Sequence, residues 1–177
     1  MLIPTTLVQG SGAGSGVKSY PLQLSTARVT SLAGNSFWSV LGLTDWDAGH
    51  WEFVKDVDGK VYGQAQVPPS YVSGGTIRLA IGANATSGVT RLIVATKAVA
   101  DGESLNPTLT DEAAQDITVP GTAYLRKDVT FTLTEALAAG DLLLVEVFHN
   151  GDTANGGSTD TLAVNTLLFG AWLEVTA

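Results

Sequence analysis

The densest group of residues able to do chemistry is the stretch Asp-Trp-Asp-Ala-Gly-His-Trp-Glu-Phe at positions 45–53. It holds three carboxylates, a histidine and two tryptophans. A pair of carboxylates can serve as the acid and the base of a glycosidase, while tryptophan rings hold the sugar. Asp45, Asp47 and Glu52 are the candidates for that role.

A structural interpretation of the same stretch competes with the catalytic one, and we favour it. In a strand, Trp51 and Phe53 share one face and enter the core, while Glu52 points to solvent. Asp47 to Gly49 then form a turn, because aspartate favours turns by bonding to nearby backbone.

Metal chemistry has little support in the composition. The chain has no cysteine and two histidines, so disulfides, thiolate sites and a histidine-rich zinc site are excluded. His50 and His149 would have to meet across the fold to share a metal, and His149, which precedes Asn-Gly-Asp, is expected on an exposed loop. Clustered oxygens occur at positions 152–160 and leave a surface calcium open. We expect no metal and no cofactor.

A glycine-rich stretch, Gln-Gly-Ser-Gly-Ala-Gly-Ser-Gly at positions 9–16, precedes Val17-Lys18-Ser19 and looks like a phosphate-binding loop. Val17 stands where such a loop needs glycine, and Pro21 disfavours the helix that must follow. The stretch is typical of a flexible linker. No Gly-x-Ser-x-Gly elbow supports a nucleophilic serine elsewhere, so we predict a protein that is not an enzyme.

The charge and hydropathy exclude several classes of partner. A net charge of −8 disfavours binding to nucleic acid, since phosphate contacts need clustered cations. The sequence contains no run of about 20 apolar residues that would indicate a membrane span. The N-terminus lacks the pattern of a signal peptide, and nothing in the sequence argues for export.

After residue 19 the apolar residues recur with period two, which predicts strands. The clearest case places Val129, Phe131 and Leu133 on one face and threonines on the other. Asp58-Gly59 predicts a tight hairpin turn. Helix signals are confined to one or two turns at 110–115 and a capped turn at 134–140 that ends in glycine.

About eight to ten strands without long helices predict an all-β protein, a single antiparallel β-sandwich of the jelly-roll type. Residues 1–19 are assigned to an extended N-terminal arm with a Gly/Ser-rich hinge, and residues 20–177 to the sandwich domain. An immunoglobulin-like sandwich is the second choice, although it usually needs fewer residues.

The stretch Val67-Pro-Pro-Ser-Tyr-Val-Ser-Gly-Gly-Thr-Ile-Arg-Leu79 resembles a segment of jelly-roll structural proteins of tailed bacteriophages, in which such a turn leads into a strand. The stretches at 98–103 and 134–143 are similar to the same group, so the resemblance covers roughly residues 50–177. It implies a virion protein that is assembled in the host cytoplasm. Capsid decoration proteins, head fibres and tail modules all belong to this group.

From this resemblance we expect a capsid decoration (cement) protein on the capsid surface that binds the major capsid protein and other copies of itself, as a trimer. The arm would lock neighbouring subunits by strand addition, and its apolar side chains are Leu2, Ile3, Leu7 and Val8. The alternative is a carbohydrate- or receptor-binding module of a tail or head fibre, in which Trp46 and Tyr71 would contact the glycan.

Overall fold

The computed structural model describes residues 16–25, 36–42, 47–152 and 159–177. Several predictions fall outside these ranges. They are the arm contacts Leu2, Ile3, Leu7 and Val8, the glycine-rich stretch before residue 16, Asp45 and Trp46, and most of the oxygen-rich loop after Asp152.

The described residues form two antiparallel six-stranded sheets that pack as a sandwich, so the predicted all-β, jelly-roll type of fold is confirmed. Sheet A consists of β1 (Val17–Pro21), β3 (Ser36–Gly42), β4 (Asp47–Phe53), β6 (Ser73–Ala83), β10 (Lys127–Thr132) and β12 (Thr166–Thr176). Its order is β10-β6-β12-β4-β3, and β1 also pairs with β12.

Sheet B consists of β2 (Gln23–Ser25), β5 (Gly59–Gln66), β7 (Val89–Val99), β8 (Thr110–Asp111), β9 (Gln115–Thr118) and β11 (Leu142–His149). Its order is β2-β5-β11-β7-β8, and β9 also pairs with β7. None of the described residues forms a helix that is long and apolar enough to span a membrane.

The period-two patterns explain which faces meet between the sheets. In β10, Val129 and Phe131 are buried while the threonines next to them are exposed, as predicted. In β11 every second residue from Leu143 to His149 is buried. The faces that enter the sandwich are mainly aliphatic or aromatic, and burial at about 25 cal/mol per Å² of apolar surface holds the two sheets together.

Both helical predictions are wrong. Residues 110–111 and 115–118 instead extend the edge of sheet B by pairing with β7. Glu112 lies between them, and its buried carboxylate accepts hydrogen bonds from the Thr134 amide at 2.9 and 3.0 Å. Residues 134–140 form no helix, although Gly140 does adopt the positive φ, +92°, expected of a terminating glycine.

Two turn predictions are also wrong. Asp58-Gly59 is not a hairpin turn, because β4 and β5 belong to different sheets and residues 54–58 cross between them, with positive φ at Asp56. Residues 47–49 are not a turn either. They belong to β4, where Asp47 pairs with Gly42.

A candidate ligand slot at the branch point of β12

The long strand β12 has two different neighbours along one edge. β4 pairs with it only over Thr166–Leu168, and β1 pairs with it only over Trp172–Thr176. Between these ladders the chain after β1 is hydrogen-bonded to β12 where the Leu22 amide donates to the carbonyl of Ala171 at 2.9 Å. The two neighbours therefore diverge, and an opening remains beside Phe169 and Gly170.

This opening is a slot with a cavity volume of about 500 Å³, within the range of small-molecule sites. One wall comes from the β3–β4 hairpin and the other from the segment that joins β1 to β2, while β12 forms the floor. Its lining is mainly aromatic and aliphatic: Pro21, Leu22, Leu24, Trp38, Trp51, Phe169, Gly170, Ala171 and Trp172.

Trp38 is the most exposed aromatic residue of the slot, with 57% of its surface accessible. It lies opposite Trp51 across the β3–β4 ladder, and the two rings meet edge to face with centroids 5.3 Å apart. The indole also lies over Gly49, because a Cβ there would be 2.5 Å from its Cζ2 atom and 2.7 Å from Cη2. Gly49 thus allows a large ring to rest against β4 with much of its surface open.

Trp172 repeats this arrangement on the floor of the slot. A Cβ at Gly170 would lie 2.6 Å from Cη2 of Trp172, so this ring also rests over a glycine. The guanidinium of Arg78 stacks on it, with its central carbon 4.3 Å from the ring centroid. A cation over an indole face is a favourable contact, so Arg78 helps to hold the ring in place.

Carboxylates in turn hold Arg78. Its Nε donates to Glu174 at 2.6 Å and its Nη1 to Asp128 at 3.3 Å. The Arg78 hydrogen bond, helped by one from Ser19, lowers the pKa of Glu174 below its ordinary value of 4.5. A bidentate hydrogen bond from Arg126 likewise lowers the pKa of Asp128. Trp172 therefore rests on a paired, charge-balanced network rather than on a free cation.

Of the residues predicted from sequence to contact or cleave a glycan, Tyr71 and Glu52 do not line the slot, and Asp45 and Trp46 lie outside the described residues. Tyr71 lies in the loop between β5 and β6, partly buried against the core, and is not among the described residues that line the slot. Phe53 is fully buried and Trp51 partly buried against the core, as predicted. Glu52 lies on the opposite face of β4, where it accepts a hydrogen bond from Asn165 at 2.8 Å and lies 3.8 Å from His50.

The prediction that His149 lies on an exposed loop is wrong. It ends β11 with its ring buried, Nδ1 3.2 Å from the carbonyl of Val57 and Nε2 2.8 Å from Asp160. This pair ties the start of β5 to the segment before β12. Asp160 also accepts from the Leu162 amide. No group of three or more potential metal ligands is found among the described residues.

Sequence reasoning missed two tryptophans of the slot, the exposed Trp38 and the partly buried Trp172. One signal was available for Trp172, since residues two apart in a strand share a face and Gly170 precedes it by two. Gly49 gave no such signal for Trp38, because their contact depends on the register of β3 against β4.

Comparisons with known proteins assign the chain to no family. No protein-family model and no curated protein matches it. An isomalto-dextranase of Arthrobacter globiformis T6, solved with panose, is 22% identical over 89% of this chain, with a TM-score of 0.47. The match spans 23% of that enzyme.

A family 35 carbohydrate-binding module of Clostridium thermocellum is 11% identical over 92% of this chain and 100% of its own length, with a TM-score of 0.45. The K1 cleaved adhesin domain of Lys-gingipain from Porphyromonas gingivalis W83 is 11% identical over 92% of this chain and 99% of its own, with a TM-score of 0.47. Similarity at this level carries no function from these proteins to the chain.

Proposed function

We propose that this chain binds a carbohydrate in the slot at the branch point of β12 and does not transform it. The observation that carries the proposal is the pair of tryptophan rings, Trp38 and Trp172, each resting over a glycine beside one cavity. The prediction from sequence that the protein binds glycans as an alternative role is kept, with the contact residues moved from Trp46 and Tyr71 to the slot.

The chemistry of sugars fits such a site. A sugar ring presents C–H groups on its faces, and these carry a slight positive charge. An indole face carries negative charge from its π electrons, so the two surfaces attract each other while water leaves the contact. Sugar hydroxyls at the ring edge still need hydrogen bonds. Among the described residues, Phe169 and Gly170 have no ladder partner on the β4 and β1 edge, which leaves backbone groups beside the slot.

The lining also supports binding without catalysis. Glycoside hydrolysis needs two carboxyl groups that flank the scissile bond. The described residues that line the slot include no carboxylate, and Glu52 lies on the other face of β4 from Trp51. Release of reducing sugar from any glycan that the protein binds, abolished by Asp47→Asn, would contradict this part of the proposal.

The test is a glycan array followed by titration calorimetry with the glycans that bind. Trp38→Ala is expected to weaken binding by about thirtyfold, because it removes a central aromatic anchor worth about 2 kcal/mol. Phe37→Ala is the matched control. Phe37 is a neighbouring exposed aromatic residue on the same strand, and its side chain points to the opposite face.

Phe37→Ala is expected to leave the affinity unchanged. Equal losses in the two variants would mean that the effect comes from disturbing β3 and not from losing a platform. A flat array with the unaltered protein, across neutral and acidic polysaccharides, would refute carbohydrate binding.

Capsid decoration is the second candidate, and the segment Val67–Leu79 supports it. In the structure, residues 67–72 form a loop that leads directly into β6 at Ser73, the turn-then-strand arrangement that the resemblance to phage proteins implies. On this proposal the chain sits on the capsid as a homo-oligomer, with residues 1–16 reaching a neighbour. Stoichiometric copies on purified heads, reduced in a variant that lacks residues 1–16, are the expected result. Absence from purified particles would exclude it.

A further inference from the structure

We propose that the ligand is a chain of several uncharged sugar units, which runs from the slot over the edge strand β2 onto the outer face of sheet B. This inference rests on the proposed function and deepens it by naming the ligand class. Three observations carry it: the slot continues into two further concave surfaces, the chemistry alternates along them, and the whole path is uncharged.

The continuity follows from shared lining residues. Leu24, in the middle of β2, lines both the slot and a polar depression of about 360 Å³. Gly63, its partner in the β2–β5 ladder, lines both that depression and an open groove of about 450 Å³ on the outer face. The slot, the polar depression and the outer groove therefore form one path around the edge of sheet B.

The short edge strand β2 does not block this path. β2 has only three residues, and Leu24 leans over Gly63, where a Cβ would lie 2.9 Å from Cδ2 of the leucine. Leu24 thus packs down toward β5 and does not stand up as a barrier. A larger residue at position 63 would lift it.

The surface chemistry alternates along the path. The slot is aromatic, and the polar depression presents the side chains of Gln23, Ser25 and Gln64, of which the two glutamines face each other across the ladder. The outer groove returns to Tyr62 with Pro107 and Leu144 around it. Amides and hydroxyls both donate and accept, as sugar hydroxyls do. A chain of sugar units offers faces to the rings at both ends and hydroxyls to the amides between.

The length of the path excludes a single sugar. Reaching the outer face of sheet B from the slot in sheet A means crossing one sheet-to-sheet spacing of about 10 Å and one strand spacing of about 4.8 Å. Only an extended chain contacts Trp38 and Tyr62 at once.

Charge selects the type of chain. The protein carries a net charge of −8, yet none of the described residues that line the slot, the polar depression or the outer groove is Asp, Glu, Lys or Arg. The guanidinium of Arg78 that lies over Trp172 is paired with Glu174 and Asp128. An acidic polysaccharide would therefore meet no cation among the lining residues and would be repelled by the protein as a whole. A neutral chain meets neither problem.

The experiment is calorimetry with a series of neutral oligosaccharides, from monosaccharide to hexasaccharide, of the class that the glycan array selects. Affinity is expected to rise about tenfold or more between the disaccharide and the longest member, because further units reach further contacts. Tyr62→Ala, and independently Gln64→Ala, are expected to remove most of this gain while leaving disaccharide binding unchanged. Phe148→Ala is the control, since Phe148 is half-buried in the neighbouring strand and is not among the residues that line the groove.

The outcomes separate the two proposals. If no glycan binds at all, the proposed function fails, and this inference fails with it. If the disaccharide and the hexasaccharide bind equally, or if Tyr62→Ala and Gln64→Ala change nothing while Trp38→Ala abolishes binding, the slot binds a sugar but the extended path is refuted. Tighter binding of an acidic oligosaccharide than of its neutral counterpart would overturn the assignment of charge.

Discussion

Replacing Gly49 by alanine tests the platform at Trp38 without touching the tryptophan itself. Gly49 lies within β4 and is not among the glycines with positive φ, so its backbone accepts an alanine. What it does not accept is the added methyl group, which would lie 2.5 Å from Cζ2 of Trp38. The ring must move for the side chain to fit.

The size of the effect follows from this distance. Carbon atoms in contact prefer about 3.5–4.0 Å, so the ring has to shift by about 1 Å or more. Overpacking in a closed core costs about 1–3 kcal/mol, but Trp38 is 57% exposed and can swing outward. We therefore expect the free energy of unfolding to fall by less than about 1 kcal/mol. Glycan affinity should fall about fivefold, the loss of about 1 kcal/mol of aromatic contact.

Two measurements check this expectation. The edge-to-face pair of Trp38 and Trp51 should give an exciton couplet in circular dichroism, which Gly49→Ala should change even before a ligand is known. Calorimetry then gives the affinity, with Gly121→Ala as control because a Cβ at Gly121 has nothing within 4 Å. In a Trp38→Ala background the effect of Gly49→Ala on binding should vanish. An unchanged couplet with unchanged affinity would refute the reasoning about the platform.

Three further predictions concern stability. Asp160→Ala should lower the free energy of unfolding by about 1–3 kcal/mol in urea denaturation, because it leaves Nε2 of the buried His149 ring without its hydrogen-bond partner, whereas the exposed Asp101→Ala should change it by less than about 0.5 kcal/mol. Since its pKa is lowered in the folded state, Glu174 adds stability that is present above its ordinary value of 4.5 and lost as the pH falls through the folded value. Glu174→Gln should therefore flatten the acid loss of stability between pH 7 and pH 3, and an equally steep loss in both proteins would contradict this. Gly140→Ala, at a φ of +92°, should cost about 1 kcal/mol or more, and a thermal midpoint equal to that of the unaltered protein would count against it.

The strands were predictable because their signal is local. The alternation of apolar and polar residues in β10 indicates that one face of the strand enters the core. This inference does not require knowing which strand pairs with β10. The same holds for β12, in which Leu173 and Val175 are buried while Trp172 and Glu174 are not. Such patterns predict that the strands form a sandwich, but they do not predict which strands pair with each other.

The wrong predictions all concern which partner an element finds. Asp58-Gly59 has the composition of a hairpin turn, but the strands beside it pair in different sheets. His149 lies at the end of a strand and precedes Asn-Gly-Asp, which suggests an exposed loop. In the structure the ring is buried and contacts Asp160, eleven residues later in the chain. The residues at 110–111 have helix-capping types, but β7 offers an open edge and takes them as a strand. In each case a distant contact outweighs the local preference.

The slot could not be predicted from the sequence for the same reason. Its origin shows how a binding site can form at this position in the sandwich. β12 pairs with β6 along most of its length, but the register shifts between Leu168 and Gly170, so Phe169 is an extra residue. A bulge of this kind raises the local twist of a strand. A single neighbouring strand cannot pair with β12 on both sides of the bulge. Two short ladders therefore occupy this edge of β12, one of three residues with β4 and one of five residues with β1. The opening between them needs no departure from sandwich packing elsewhere, and Gly49 and Gly170 beside it leave room for tryptophan rings. On the proposed function, binding depends on this discontinuity in pairing, and substitutions that restore a continuous ladder along β12 should close the site while stabilising the sheet.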